Sequence, residues 1–258
     1  MITLRQLHAW LEGSRLFGNP DAVITRVHTD TRSIQAGDLF VALSGEQFDG
    51  NAFVEEAIAK GAVAVIAQHS LKGKSVQGLE VADTKLALGM IAACWRSQFN
   101  LPLIAVTGSN GKTTVTQMLA SILSAHAGEQ SLATVGNLNN DIGVPLTLMR
   151  LRKNHSIAVV ELGMNHPGEI AYLSNIAKPS VVLVNNAQRE HLEFMVSVEA
   201  VAYENGSAIA ALPDSGVAVY PADDDYSAVW KTLAKQRKTM TFSLDSDADV
   251  CCITAGWV

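Results

Sequence analysis

The sequence has few cysteines, and their spacing excludes a disulfide framework. Its three cysteines are Cys94, Cys251 and Cys252, an odd number with two of them adjacent. The C-x-x-C spacing that is common in structural zinc sites does not occur. Cysteines that are used so sparingly fit a reducing compartment, and we therefore expect a cytoplasmic protein.

Long apolar runs are lacking as well. No stretch approaches the ~18 apolar residues that indicate a membrane-spanning helix. The N-terminal stretch MITLRQLHAWLEG places Leu4, Leu7 and Leu11 at helical spacing among polar side chains. This pattern predicts an amphipathic helix and not a signal peptide. We therefore expect no membrane insertion.

Positive charge is the third scarce feature. Lysine and arginine together number 19 against 25 aspartates and glutamates, which gives a net charge of −6. A nucleic-acid-binding protein needs a basic face that displaces counterions from phosphates. We therefore expect no nucleic-acid partner, and an anionic ligand would have to be held by local geometry.

What the sequence does contain is an alternation of short strand and helix patterns. The 258 residues suit one large domain or two ordinary ones. We expect a boundary at Asn100-Leu-Pro102, because a proline disfavours helix in the residue before it. Residues 1–99 would then form a small α/β domain, and residues 100–258 a second, larger one.

The predicted elements define the fold class. In the first part, 38–43 and 62–67 are predicted strands, and 51–61 and 83–99 are predicted helices. In the second part, apolar runs predict strands at 103–106, 157–162, 181–184, 216–220 and 239–244, with another beginning at Cys251. The first three of these runs are too continuous for a one-sided sheet and suit buried parallel strands. The sequence therefore predicts an α/β fold with a doubly wound, mostly parallel sheet, which the chain does not complete.

The loop VTGSNGKTTV (106–115) follows the first strand of the second part and predicts a phosphate site. Backbone N–H groups at a helix N-terminus favour a phosphate, and glycines allow its close approach. The pattern departs from the Walker A loop, because two residues and not four separate Gly108 from Gly111. The alternative is a glycine-rich turn with Lys112 in solvent.

If the loop binds a nucleotide, its contacts should come from the whole turn and the first helical residues. The helix after the loop is predicted by apolar residues at i, i+3, i+4, i+7 and i+8, which should face the core: Val115, Met118, Leu119, Ile122 and Leu123. The expected nucleotide-binding residues are Thr107, Gly108, Ser109, Asn110, Gly111, Lys112, Thr113 and Thr114.

Polar groups near the ends of the predicted strands would complete such a site. Mg²⁺ prefers oxygen ligands, and the Thr113 hydroxyl and the Glu161 carboxylate are candidates. Lys112 would reach the β- and γ-phosphates. His191, beyond the strand 181–184, could bind a second metal ion or contact the γ-phosphate. The ordinary alternatives are a solvent-exposed Glu161 and a structural His191.

Together these segments resemble the Mur ligase family, which builds the peptide stem of bacterial cell-wall precursors with ATP. The T-G-S-N-G-K-T loop matches the short P-loop of that family. Residues 28–53, 136–151, 159–171 and 184–195 carry the resemblance further, so that it covers essentially the whole chain. The run NLNNDIGVP is typical of members that join D-alanyl-D-alanine to UDP-N-acetylmuramoyl-tripeptide.

The resemblance implies an ATP- and Mg²⁺-dependent ligase in peptidoglycan precursor synthesis. The tripeptide carboxylate would attack the γ-phosphate to give an acyl phosphate, and the amine of D-alanyl-D-alanine would then displace phosphate. Catalytic roles are implied for Lys112, Glu161 and His191, and metal binding for Thr113, Glu161 and His191.

The same resemblance implies two groups of substrate-binding residues. Those expected near the uridine diphosphate, in the N-terminal domain, are Asp30, Thr31, Arg32 and Ser33. Those expected in the central cleft are Asn137, Asn139, Asn140 and Asp141. The ordinary alternatives are a polar turn for the first group and a loop with positive φ for the second.

Two departures from the family pattern bear on activity. Many members carry a carbamate-modified lysine in the helix after the His191 segment, and the corresponding position here is Asn205, with Glu204 beside it. The family also has a third domain that closes over ATP and the amine, which we expect to lie outside this chain. We therefore expect a monomer with weak or no activity on its own.

Two other functions remain compatible with the residues. One is a P-loop kinase that phosphorylates a small molecule, and the other is a non-catalytic module that binds a nucleotide or the UDP-linked precursor. Folate polyglutamate ligases share the P-loop but lack the UDP-binding N-terminal segment.

Overall fold

The computed structural model describes residues 1–45, 48–68, 71–72, 76–189, 195–244 and 247–251. The chain divides into two units. Unit 1 comprises Met1–Gln98 and Leu148–Arg150, and unit 2 comprises Phe99–Thr147 and Leu151–Val258. None of the helices in the described ranges combines the length and the apolar character needed to cross a membrane.

Unit 1 is built on a small mixed sheet. Its helices are α1 (Leu4–Trp10), α2 (Val54–Ala59) and α3 (Thr84–Arg96). Its strands are β1 (Ile2–Thr3), β2 (Arg15–Phe17), β3 (Val23–Ile24), β4 (Arg26–His28), β5 (Asp38–Val41), β6 (Ser44–Gly45), β7 (Phe48–Asp49), β8 (Ala64–Ala67) and β9 (Gly78–Glu80). Within the described residues, five of them form a sheet in the order β2-β9-β8-β5-β4. The β2–β9 pair is antiparallel and its other neighbours are parallel.

Local sequence explains the elements of unit 1. Strands β5 and β8 are buried along their whole length, as their apolar residues predict. The predicted helix 51–61 is shorter in the structure, because a 3₁₀ turn at Gly50–Phe53, capped by the Asp49 carboxylate, occupies its beginning. Asp83 caps α3 by accepting hydrogen bonds from the backbone N–H groups of Lys85 and Leu86.

Unit 2 alternates strands with helices. Its helices are α4 (Lys112–Ala127), α5 (Gly143–Leu148), α6 (Glu169–Ala177), α7 (Val198–Ala210) and α8 (Ser227–Ala234). Its strands are β10 (Leu103–Thr107), β11 (Ser131–Ala133), β12 (Ile157–Glu161), β13 (Val181–Val184), β14 (Val217–Pro221), β15 (Lys238–Ser243) and β16 (Val250–Cys251). The part of the predicted last strand that follows Cys251 lies outside the described residues.

The sheet of unit 2 places the candidate loop at its centre. Seven of the described strands run in the order β11-β12-β10-β13-β14-β15-β16, and every neighbouring pair is parallel. This confirms the predicted α/β class with a mostly parallel sheet. Val106 pairs with Glu161 and Thr107 with Val184, so the carboxyl ends of β10, β12 and β13 lie at one edge. Since β10 has β12 on one side and β13 on the other, the loop after it lies where ligands bind in such sheets.

One prediction about α4 is wrong. Met118 and Ile122 were expected to face the core, but each is 61% exposed. The core contacts come from Val115, Leu119 and Leu123, which are spaced by four residues and pack against β10 and β12. A stripe at i, i+4 and i+8 is enough to cover these short strands, so the residues at i+3 and i+7 turn outward.

Candidate functional site

The loop between β10 and α4 depends on glycines at two positions. Gly108 has φ +128° and Gly111 has φ +75°, in the region that disfavours other residues. A Cβ on Gly108 would lie 3.0 Å from the backbone nitrogens of both Asn185 and Asn186. Helix α4 begins at Lys112, directly after Gly111. The first N–H groups of α4 have no partner within the helix and can bind an anion.

The loop after β13 holds the glycine loop in place. The backbone N–H of Asn110 donates to Asn186 Oδ1 over 2.9 Å, and that of Ser109 to the Asn186 carbonyl over 3.1 Å. In return, Asn185 Nδ2 donates to the Asn110 carbonyl over 2.6 Å. The sequence placed Asn185 and Asn186 at the end of a strand but did not indicate this contact.

Lys112 lies against its own loop. Its Nζ donates to the carbonyl oxygens of Gly108 at 2.6 Å and Ser109 at 3.0 Å. The alternative of a lysine extended into solvent is therefore wrong. The ammonium group lies beside the backbone that the predicted phosphate would contact.

Glu161, one of the predicted metal ligands, contacts the first turn of α4. It ends β12, is 1% exposed, and its Oε1 accepts hydrogen bonds from Asn139 Nδ2 at 2.7 Å and Thr113 Oγ1 at 3.2 Å. Its Oε2 is buried and has no hydrogen-bond partner within the described part of the chain. The alternative of a solvent-exposed carboxylate is therefore wrong, and an unsatisfied buried oxygen of this kind suits a cation.

The structure brings together two of the three predicted metal ligands. Thr113 and Glu161 share a hydrogen bond, whereas His191 lies outside the described residues. Within the described ranges, no group of three or more His, Cys, Asp or Glu side chains is arranged to hold a metal ion. Among the groups that the structure describes, an ion at Glu161 could take ligands from the Thr113 hydroxyl, a bound phosphate or water.

The four residues predicted in the central cleft have different positions. Asn139 bonds Glu161, and Asn140 Oδ1 caps α5 by accepting from the N–H of Gly143 at 2.8 Å. Asn137 is exposed and Asp141 half-buried. None of the four has a positive φ, so the alternative that they serve only that backbone geometry is wrong.

Two side chains of helix α7 contact loops of the candidate site, and the sequence did not predict these contacts. Asn205 is buried, and its Oδ1 accepts from Thr107 Oγ1 and from the N–H of Gly108. The Glu204 carboxylate accepts from the N–H groups of Gly168 and Ile170 at the start of α6. Both oxygens of Glu204 thus bind backbone N–H groups at the start of α6.

Unit 1 contains a separate cavity of about 400 Å³. It is lined by Thr29, Asp30, Thr31, Arg32, Phe40, Phe48 and Phe53. The rings of Phe48 and Phe53 are stacked, with centroids 5.3 Å apart and an interplanar angle of 19°. Three of the four residues predicted near the uridine diphosphate thus line a pocket with an aromatic wall, and Ser33 does not.

The polar loop of this cavity is held by two ion pairs. Asp30 pairs with Arg32 at 2.6 Å, and hydrogen bonds from Arg32 hold the pKa of Asp30 well below its usual value. Arg26 bonds both the Asp38 carboxylate and the Ser33 carbonyl. Burial raises the pKa of Asp38, but hydrogen bonds from Arg26 and the Gln35 N–H outweigh it and leave the pKa lowered. The pKa of His28, which contacts Ser33 Oγ, is lowered by burial and by the charge of Arg26.

Comparison with known proteins gives matches across both units. The Mur ligase middle domain model matches residues 106–254, and the model described as Mur ligase family, catalytic domain matches residues 23–96. The UDP-N-acetylmuramoyl-tripeptide–D-alanyl-D-alanine ligase of Escherichia coli K12 is 43% identical over 242 residues, which are 94% of this chain and 52% of that protein. The enzyme of the same name from Haemophilus influenzae is 41% identical, over 84% of this chain and 48% of that protein.

Solved structures agree with these sequence matches. Crystal structure II of MurF from Acinetobacter baumannii has a TM-score of 0.88 and 40% identity, and the match covers 96% of this chain and 54% of that chain. The MurF ligase from Thermotoga maritima in complex with ADP has a TM-score of 0.77 and 30% identity, over 88% of this chain and 52% of that chain. This chain spans about half the length of the curated relatives it matches.

Proposed function

The chain belongs to the Mur ligase family, and we propose that it supplies the precursor-binding and nucleotide-binding parts of a ligase. The reaction is the ATP-dependent joining of D-alanyl-D-alanine to UDP-N-acetylmuramoyl-tripeptide. The family match and relatives named for this reaction support the proposal. We propose residues 1–99 as the precursor-binding domain and residues 100–258 as the nucleotide-binding domain, in a cytoplasmic monomer.

One observation carries the nucleotide part of the proposal. The buried Glu161 has an oxygen without a partner and shares its other oxygen with the hydroxyl of Thr113, which stands in the first turn of α4. This donor set fits Mg²⁺, a hard cation that binds carboxylate and hydroxyl oxygens and keeps several water ligands. A bound Mg·ATP would supply the phosphoryl group that activates the tripeptide carboxylate.

The residues of the chain would bring two anions together. The tripeptide carboxylate and the γ-phosphate repel each other, so positive groups must lie beside the reacting atoms. Lys112 has its ammonium at the glycine loop, and the N–H groups at the start of α4 point toward an anion there. Their role is to orient the phosphates and to offset negative charge as the acyl phosphate forms.

The cavity of unit 1 is the proposed site for the uridine end of the precursor. The stacked Phe48 and Phe53 present an aromatic wall that suits a planar base. Thr31 and Arg32, which also line the cavity, can bond hydroxyl and phosphate oxygens. The Arg26–Asp38 pair keeps the polar loop in position from outside the cavity.

Calorimetric titration with Mg·ADP tests the nucleotide site. Lys112→Ala should weaken binding by about 10–100-fold, since a hydrogen bond to a charged group contributes about 1.5–3 kcal/mol. Lys231→Ala removes an exposed lysine of α8 and is the matched control, which should bind like wild type. Equal binding by wild type and Lys112→Ala would exclude the assignment of this loop.

A second titration compares UDP-N-acetylmuramoyl-tripeptide with UDP alone. We expect the whole precursor to bind more tightly than UDP, because its sugar and peptide offer further polar groups for hydrogen bonding. Phe48→Ala should weaken both ligands by a similar factor, since it removes only the aromatic wall. An absence of heat with either ligand, from a folded sample, would contradict the precursor site.

Phosphate release separates a ligase from a small-molecule kinase. With Mg·ATP and the precursor present, a ligase should release phosphate only when D-alanyl-D-alanine is added. A stable phosphorylated product without the amine would favour the kinase. Binding of both ligands without any turnover would indicate a binding module.

A further inference from the structure

Helix α7 reaches two loops of the candidate nucleotide site with neighbouring side chains. Asn205 Oδ1 accepts from Thr107 Oγ1 at 2.5 Å and from the N–H of Gly108 at 2.9 Å. Glu204 accepts from the N–H groups of Gly168 and Ile170, both at 2.9 Å. One rigid element therefore contacts the start of the glycine loop and the loop that leads from Glu161 to α6.

The chemistry of Gly108 fixes the orientation of the Asn205 amide. A backbone N–H can only donate, so the atom that faces it must be the amide oxygen and not the nitrogen. Asn205 Nδ2 is consequently turned away, and it is buried without a hydrogen-bond partner among the described residues. An unsatisfied buried donor lowers stability, so packing stability alone does not explain an asparagine here.

The contact governs the first peptide of the glycine loop. Gly108 lies between Thr107, whose carbonyl accepts from the N–H of Asn185 at 2.9 Å, and Ser109, which bonds the Asn186 carbonyl. The N–H of Gly108 donates to Asn205 Oδ1, and the N–H of Asn110 donates to Asn186 Oδ1. Together with the N–H of Ser109, three successive N–H groups of the loop therefore already have protein acceptors. An anion is left with the N–H groups at the start of α4, whose direction depends on the turn that Asn205 holds.

We infer that Asn205 is a positioning residue that fixes the Gly108 turn and thereby directs the N–H groups at the start of α4 toward a phosphate. Glu204, on the same helix, holds the loop after Glu161 in register with it. The consequence for nucleotide affinity rests on the proposed function, whereas the anchoring of Gly108 does not. An unmodified lysine at this position would have no acceptor and could make neither bond.

Four variants of the chain separate anchoring from general stability. Asn205→Leu has a similar shape but no acceptor, and Asn205→Asp keeps an acceptor oxygen. Ser207→Ala is the matched control, because its hydroxyl bonds the Glu204 carbonyl within α7 and does not contact the glycine loop. Asn205→Ala, which leaves room for water, is a second deletion variant. Circular dichroism and thermal melting would establish that each is folded.

The first readout is hydrogen exchange at the Gly108 amide, measured by NMR without nucleotide. In wild type this amide should exchange as slowly as those inside β10. Asn205→Leu should accelerate it about tenfold, which is the effect expected from the loss of one hydrogen bond. Asn205→Asp should keep it slow, and Ser207→Ala should leave it unchanged. Fast exchange in wild type, or unchanged exchange in Asn205→Leu and Asn205→Ala, would overturn the inference.

The second readout is the affinity for Mg·ADP. Asn205→Leu should weaken it by about tenfold, again the effect of one hydrogen bond, and Ser207→Ala should not. If Asn205→Leu or Asn205→Ala combines rapid Gly108 exchange with wild-type affinity for Mg·ADP, the contact between Asn205 and Gly108 does not direct the phosphate site. A wild-type chain without affinity for Mg·ADP would instead contradict the proposed nucleotide site, and the exchange rates would still decide whether Asn205 anchors Gly108.

Discussion

At the scale of single residues, Glu161 places a carboxyl group where almost none of it is exposed to water. One of its oxygens is shared by Asn139 and Thr113, and the other has no partner among the described residues. Isolating a carboxylate in this way is unfavourable unless a cation or a proton completes its contacts. This arrangement therefore favours the binding of a cation beside the glycine loop.

Glu161→Gln tests this preference. The amide keeps an acceptor for Asn139 and Thr113 but loses the charge, so Mg·ADP should bind about tenfold more weakly or worse, as for the loss of a charge-assisted contact. In excess EDTA the variant should no longer bind ADP more weakly than wild type, because the contribution of Glu161 depends on the divalent ion. Glu129→Gln, at an exposed position, is the control. Unaltered Mg·ADP affinity in Glu161→Gln would remove Glu161 from the metal site.

Gly108 tests the geometry of the loop in a different way. Gly108→Ala combines a positive φ with a Cβ 3.0 Å from two backbone nitrogens, so it should destabilise the chain by about 1–3 kcal/mol and weaken Mg·ADP binding. Gly136→Ala has a positive φ too, but nothing lies within 4 Å of its Cβ. The control should therefore lose only about 1 kcal/mol in thermal or urea unfolding. Equal losses in the two variants would mean that the contacts with Asn185 and Asn186 are unimportant.

At the scale of elements, β4 and β5 are joined by an ion pair in which one side chain is buried and the other is partly exposed. Asp38 is 1% exposed, whereas the Arg26 side chain that bonds it is 37% exposed. The pair also holds the Ser33 carbonyl, so it connects two parallel strands to the polar loop of the unit 1 cavity. Its strength should therefore be visible both in stability and in ligand binding at that loop.

Asp38→Asn should destabilise the chain by about 1–3 kcal/mol at neutral pH, a range reduced from that of fully buried pairs because Arg26 meets solvent. The pKa of Asp38 is lowered by folding, so its contribution is complete above the unfolded value of about 3.9 and is lost as the pH falls through the folded value. The difference between wild type and variant in urea unfolding should thus shrink in acid. Asp21→Asn breaks a pair with Arg5 in which both side chains are exposed and should change stability by at most about 1 kcal/mol.

The elements themselves were largely predictable from the sequence. Runs such as 103–106 and 181–184 are apolar over their whole length and rich in β-branched residues, and this property indicates buried parallel strands. The boundaries were less accurate where side chains decide them, as at Asp49, whose carboxylate converts the start of a predicted helix into a 3₁₀ turn. The outward turn of Met118 and Ile122 could not be predicted, because it depends on the width of the sheet beneath α4.

At the scale of the whole molecule, the candidate site divides into a predictable and an unpredictable part. Glycines 108 and 111, Lys112 and Thr113 lie close together in sequence, so their pattern identifies a phosphate loop without a structure. The residues that hold that loop are distant in sequence. Asn186 lies 76 positions, and Asn205 97 positions, from the residue whose N–H donates to it. Such contacts depend on strand order and helix packing, and no local pattern reports them.

The two candidate sites lie in different units, and each is formed from residues of its own unit. Phe48→Ala should therefore weaken UDP-N-acetylmuramoyl-tripeptide and leave Mg·ADP unaffected, and Lys112→Ala should do the reverse when each ligand is titrated alone. The double variant should show both losses without change in either, because mutations without shared partners are additive. Calorimetry with the two single variants and the double variant measures this directly. A loss of Mg·ADP affinity in Phe48→Ala would contradict the assignment of two independent sites.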